Sequence, residues 1–120
     1  MGTIAFTRKT HGNNGVLITW PNLATGDEGQ PFEFVDAPDR SVQVYGTPGA
    51  GGAIQMKGSN DQSTTTNWDF VHDNSQNDLS MVPGVNGIEA ILEVCVQIKP
   101  VVDGGDGTTD LTVKLLVIEK

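Results

Sequence analysis

Ser41-Val42-Gln43-Val44-Tyr45-Gly46-Thr47, then Pro48-Gly49-Ala50-Gly51-Gly52, then Ala53-Ile54-Gln55-Met56-Lys57-Gly58 is the stretch whose reading decides the fold. In the first piece Val42 and Val44 share one side, and Gln43 and Tyr45 the other. That period of two belongs to a strand with one buried face. In the third piece Ile54 and Met56 repeat the pattern. The linking residues carry turn chemistry, because glycine enters φ > 0 without steric cost. The stretch reads as a hairpin.

The same period recurs on both sides of it. Val16, Ile18 and Trp20 alternate until Pro21 ends the strand, and Asn22 to Pro31 is a polar loop. Phe32–Val35 is a short strand before a turn at Ala37-Pro38-Asp39. Beyond the central stretch a polar loop runs from Ser59 to Asn67. Trp68–Val71 is the next strand, His72–Asn77 a loop and Met81-Val82 a short strand. In the apolar run Ile88–Val102, Leu92, Val94, Val96 and Ile98 alternate with Glu93, Cys95, Gln97 and Lys99, and Gly87–Leu92 has room for one helical turn. Asp103-Gly104-Gly105-Asp106-Gly107 turns the chain into a last strand, with Leu111, Val113, Leu115 and Val117 on one face. Residues 1–15 form either an extended arm or a first edge strand around Ile4 and Phe6. With no long helical spacing and about eight strands between turn signals, the expectation is all-β: a single domain over residues 1–120, folded as a two-layer antiparallel β-sandwich of jelly-roll or Greek-key type.

Charge narrows the function. Against 7 Lys+Arg stand 15 Asp+Glu, a formal net charge of −8. Nucleic-acid binding depends on Lys and Arg neutralising phosphates, and here only Arg8 and Lys9 adjoin, so neither nucleic acid nor an anionic membrane is an expected partner. No run approaches the ~18 apolar residues of a membrane span. No basic and apolar leader is visible, and Phe6 stands where myristoylation wants Ser or Thr. The expectation is a soluble protein made and used without export. One cysteine, Cys95, excludes an intrachain disulfide.

The residues suited to catalysis are scattered. Cys95 sits mid-strand between Glu93 and Gln97, and His11 and His72 are far from it and from each other, so no nucleophile stands beside a base. No spacing singles out a carboxylate pair for glycoside hydrolysis. Asp103, Asp106 and Asp110 lie in a Gly-rich loop, which makes them a weak calcium candidate, but the terminal Glu of an EF-hand loop is absent. The competing reading is a Gly-Asp turn. Gly49–Gly52 lacks the Lys-Ser/Thr of a phosphate loop and precedes a strand. No cofactor is expected, and the chain is read as a binding protein, not an enzyme. Trp20 is in phase with Val16 and Ile18 and belongs to the core, whereas Trp68 follows a polar loop and suits either the core or a sugar ring.

The central stretch, followed by Ser59-Asn60-Asp61 and Asn67-Trp68, and later by Ile98-Lys99-Pro100-Val101-Val102-Asp103-Gly104-Gly105 and Leu111-Thr112-Val113, resembles a strand–turn–strand unit and C-terminal half of small structural proteins of tailed bacteriophages. Many of those have Arg where this chain has Lys99. The likeness covers residues 41–118 and leaves the first 40 unmatched. It implies a virion component, foremost a capsid decoration (cement) protein. Such a protein would be made in the host cytoplasm, sit on the outer capsid surface, bind the major capsid protein and associate with itself, as a trimer before a dimer. A head fibre or tail component is the alternative within the virion. Gly58-Ser59-Asn60-Asp61 with Asn67-Trp68 also resembles a hairpin of discoidin-like and carbohydrate-binding domains, which implies a glycan-binding alternative. Contacts to a partner are expected at Ile4 and Phe6, if the N-terminal arm lies across a neighbour and not in the core, and at Gly49 and Trp68.

Overall fold

The structure, a computed structural model, describes residues 2–33, 39–61, 67–93 and 95–118. Their strands are β1 (Thr3–Ile4), β2 (Thr7–His11), β3 (Gly15–Leu23), β4 (Glu28–Gly29), β5 (Phe32–Glu33), β6 (Asp39–Thr47), β7 (Ala53–Ser59), β8 (Asp69–Phe70), β9 (Ser80–Met81), β10 (Ile88–Ala90), β11 (Gln97–Asp103) and β12 (Asp110–Ile118). One sheet runs β10-β6-β12-β3-β2. The other runs β1-β4-β11-β7-β8, with β5 also on β11 and β9 also on β7. From β3 onward the chain changes sheet at nearly every connection, staying in place only from β4 to β5 and from β7 through β9. The first sheet thus takes β3, β12, β6 and β10 as neighbours, and the second takes β4 with β5, then β11, β7, and β8 with β9. That is the winding of a jelly roll.

The alternating positions build the core. Leu111, Val113, Leu115 and Val117 of β12 are all 0% exposed, and they face Ile54, Met56 and Ile98 from the opposite sheet, which are equally buried. Val16, Ile18 and Trp20 join them as the period required, and the Trp20 indole N–H donates to the Gln30 carbonyl at 2.9 Å.

Several expectations are corrected. The central stretch is not a hairpin: β6 and β7 lie in different sheets. A period of two shows which side of a strand is buried but not which neighbour it pairs with. Here β6 finds a longer partner in β12, nine residues in register, and β7 finds one in β11, seven in register. The glycines make the crossing tight, since a Cβ on Gly52 would lie 1.9 Å from the Pro48 carbonyl oxygen. Pro21 does not end β3, which continues to Leu23. The register against β12 slips there, with Trp20 opposite Val113 and Leu23 opposite Leu111, and Asn22 takes a φ of 56°. A bulge is where a strand tolerates a proline.

The alternation read across Leu92–Lys99 also fails. Leu92 is exposed, Cys95 is buried, and Gln97, Ile98, Lys99 and Pro100 are all buried. β10 and β11 lie in different sheets, and the second strand begins only at Gln97. The helical turn at Gly87–Leu92 is instead β10, paired with β6. The expected strand end at Val35, the turn at Ala37-Pro38 and the position of Val94 fall outside the described residues. The sheets are not wholly antiparallel, because β1 runs parallel to β4.

The N-terminal segment is an edge of the sandwich, not an extended arm. β2 pairs with β3 over five residues, and β1 joins the other sheet. Ile4 and Phe6 are partly buried against the core. The Phe6 ring meets Trp20 at 6.0 Å and Phe32 at 5.5 Å between centroids, both edge-to-face. Asp27 ties this segment down, accepting from the Gly2 and Ala24 amides at 2.9 Å each. Deleting residues 2–12 therefore uncovers Trp20 and Phe32 and leaves β3 as a bare edge, so the truncated chain is expected to unfold at clearly lower urea than the full chain. Phe6→Ala alone should cost about 2 kcal/mol, below the range for a fully buried Phe. An unchanged urea midpoint for both variants would show that the segment is not part of the core.

Candidate functional site

The outer face of sheet β10-β6-β12-β3-β2 is uncovered among the described residues and carries apolar side chains at its centre. Strand pairing lays them out in rows. Lys9, Leu17, Leu116, Ser41 and Ala90 form one row across the strands. Thr19, Lys114, Gln43 and Ile88 form the next on one side, and His11, Gly15, Ile118 and Asp39 the next on the other. Two shallow hollows of about 270 Å³ each open on this face. One lies between Ile88, Lys114 and Leu116, the other between His11, Leu116 and Ile118, and both are floored by Leu17 and Leu116. Ile88 is 63% exposed and Ile118 38%. A sheet face turned to water ordinarily carries polar residues at these alternate positions.

The outer face of the other sheet is different. Trp68 lies over Lys99, whose Nζ is 4.3 Å from the ring centroid, and Phe70 lies under Lys57 at 5.2 Å. Lys99 is only 9% exposed and also pairs with Glu28 at 2.8 Å. A cation over an aromatic face is a favourable contact, and here it occupies one face of the Trp68 ring. The tryptophan read as suiting either the core or a sugar ring is thus engaged with its own sheet on that side.

At the end of the sandwich where β6, β7, β11 and β12 change sheets, the loops are bound together by Asp106. Its carboxylate accepts from the Ala50 amide at 3.0 Å, the Thr108 amide at 2.9 Å and the Thr108 hydroxyl at 2.6 Å. Its carbonyl accepts from the Thr25 hydroxyl at 2.6 Å, while the Thr109 hydroxyl reaches the Pro48 carbonyl at 2.9 Å. Gly49 has φ +68°, and a Cβ there would lie 2.4 Å from the Asp106 carboxylate. The hydrogen bonds from Thr108 and Ala50 hold the Asp106 carboxyl below its ordinary value. The calcium reading of Asp103, Asp106 and Asp110 is corrected here. No group of three His, Cys, Asp or Glu side chains among the described residues is placed to hold a metal ion, and the Asp106 carboxylate is occupied by protein donors. Asp106 is the hub of these turns.

A second clasp closes the β10–β11 crossing. His72 Nδ1 lies 2.5 Å from one Glu93 oxygen, the His72 amide donates to the other at 2.7 Å, and His72 Nε2 is 3.2 Å from Asp78. The buried Arg40 guanidinium donates to the Ile91 and Glu93 carbonyls. The hydrogen bond to Glu93, outweighing partial desolvation, raises the His72 pKa. The Glu93 carboxyl is pushed up by burial but drawn down further by its bonds from His72, and ends lowered. Cys95 lies buried nearby, its thiol pushed up by desolvation and so held protonated. His72 and Glu93 were separate in sequence, and only the crossing joins them. The sheet face was also missed, although its signal was present: Leu17, Leu116 and Ile118 are the apolar residues out of phase with the inward set.

The chain matches no protein family and no curated protein. Among solved structures it is similar to the SPBc2 prophage-derived protein YomS, with a TM-score of 0.61 and 14% sequence identity, over 92% of this chain and 100% of that one. At that identity the likeness is one of overall fold.

The His72–Glu93 clasp weakens at both ends of the pH range, and the Asp106 clasp only at the acid end. A raised His72 pKa gives stability that is full below its unfolded value, ~6.5, and is lost as pH rises through the folded value; the lowered Glu93 and Asp106 values give stability present above ~4 and lost as pH falls. The His72 imidazole should therefore titrate above ~6.5 by NMR, and Glu93→Gln should move its midpoint downward. An unmoved midpoint would remove Glu93 as the cause. At the loop end, Asp106→Ala should speed hydrogen exchange of the Ala50 and Thr108 amides and leave the β12 amides protected. Equal exchange in both proteins would mean that Asp106 does not hold the loops.

Proposed function

We propose that the protein is a bacteriophage capsid decoration (cement) subunit that binds the outer head surface and bridges neighbouring major capsid proteins. The observation that carries this reading is the correspondence of the whole jelly roll to that of a prophage-derived protein, over all of that protein's length. The likeness of residues 41–118 to small virion proteins of tailed phages supports it independently of the fold. Net charge of −8 suits a surface turned away from packaged DNA.

The loop end is the proposed shell contact. Its loops are exposed at Ala50, Asp106 and Thr108 yet fixed by hydrogen bonds between three crossings. Loops held in one conformation before binding lose less entropy on docking. Each contact can be weak when subunits are linked, because a second attachment then occurs at high effective concentration.

A reconstruction of particles assembled with this chain tests the proposal. Density for the jelly roll at the junctions of capsomers, loop end toward the shell, is the expected result. Density on the tail, or particles that carry no copy, would overturn it. Particles assembled with Asp106→Ala should carry fewer copies per head than the wild type, read by quantitative mass spectrometry. Unchanged occupancy would move the contact away from the loop end.

A further inference from the structure

We infer that Asn86 is a self-modifying site, whose side-chain amide is converted to a carboxylate by attack of the Gly87 backbone nitrogen. The inference stands apart from the proposed virion role, because it rests only on the turn that joins β9 to β10.

The reaction balances within the Asn86-Gly87 step and a water molecule. The Gly87 nitrogen bonds to Asn86 Cγ. The Asn86 side-chain nitrogen leaves as ammonia, taking up the proton that the Gly87 nitrogen gives up. Water then opens the cyclic imide. Attack at Cγ gives aspartate, and attack at the backbone carbonyl carbon gives isoaspartate, in which the main chain runs through Cγ. Nothing is oxidised or reduced. Glycine permits the approach because no Cβ stands beside the attacking nitrogen.

The sequence holds two such steps, Asn14-Gly15 and Asn86-Gly87. The structure separates them. Gly15 is buried and opens β3, in register with His11 of β2. A Cβ on Gly15 would lie 2.5 Å from the His11 carbonyl oxygen, so the neighbouring strand leaves this residue little room to turn toward the Asn14 side chain. Attack there first requires the end of the β2–β3 ladder to open, at a cost in free energy. Gly87 is exposed and lies outside any strand. Its chain neighbours apart, no heavy atom lies within 4 Å of where its Cβ would be. Among the described residues its amide donates to no group. An amide facing water gives up its proton to solvent base without any bond being broken first.

The carbon under attack is prepared as well. The Val82 amide donates to Asn86 Oδ1 at 2.9 Å. This bond draws electron density away from Cγ, and it ends on the oxygen that becomes negative once the nitrogen has added. A fixed donor aimed at a developing oxyanion lowers the barrier to acyl transfer. The donor is anchored in turn, because the Val82 carbonyl accepts from the Val85 and Asn86 amides at 3.1 and 3.3 Å. The turn thus keeps the electrophile polarised and the nucleophile open. Each conversion adds a negative charge to a chain whose net charge is already −8. As isoaspartate it also lengthens the main chain just ahead of Ile88, which pairs with Gln43 at the start of β10.

Ageing the full chain in neutral buffer and mapping its peptides by mass spectrometry tests this, with isoaspartate read by enzymatic methyl transfer. In the folded protein Asn86 should convert at least about tenfold faster than Asn14. In guanidinium chloride, where neither step is held and glycine follows both, the two should convert at similar rates. Asn86→Gln should abolish conversion in its own peptide and leave that of Asn14 unchanged. Equal conversion of Asn14 and Asn86 in the folded chain would overturn the inference. So would an Asn86 that converts more than about tenfold slower in the folded chain than in denaturant, because the turn would then hold the reacting groups apart.

Discussion

Strand β12 is hydrogen-bonded along both edges, to β6 over its whole length and to β3 on either side of the bulge. Its inward residues Leu111, Val113, Leu115 and Val117 are fully buried. Those two facts leave no freedom for the rest of the strand. A slip of one residue would turn four core side chains to solvent, so the register is fixed by burial. The outward residues are fixed with it, and Lys114 and Leu116 must stand at the middle of the sheet's outer surface. The core and the exposed face are two sides of one constraint.

Much of this was legible in the sequence because period two survives in the longest strands. Val42 with Val44, Ile54 with Met56, and the four positions of β12 all point inward, as their alternation requires. Partner choice was not legible. Nothing in Pro48–Gly52 distinguishes a turn within a sheet from a crossing between sheets, since the same backbone freedom serves both. The decision rests with β11 and β12, more than forty residues away. The run at 92–99 misled for another reason. Cys95 goes inside through a crossing that obeys no strand period, and Lys99 is hidden by Trp68 from above its own sheet. In the N-terminal segment two apolar residues were too few to separate edge strand from arm, and the Phe6–Trp20 and Phe6–Phe32 contacts decide for the edge.

The candidate surfaces were legible in unequal degree. Asp106 could be placed in a turn from its glycine neighbours, but its carboxylate serves Ala50, which sits in a different crossing 56 residues away. The apolar face emerges only by subtraction. Once Val16, Ile18 and Trp20 are given to the core, Leu17 is left over on β3, as Leu116 and Ile118 are on β12. An apolar residue left over in one strand is ordinary. Left over in neighbouring strands, Leu17 and Leu116 in one row and Ile118 in the next, they form a surface, and only the register shows it.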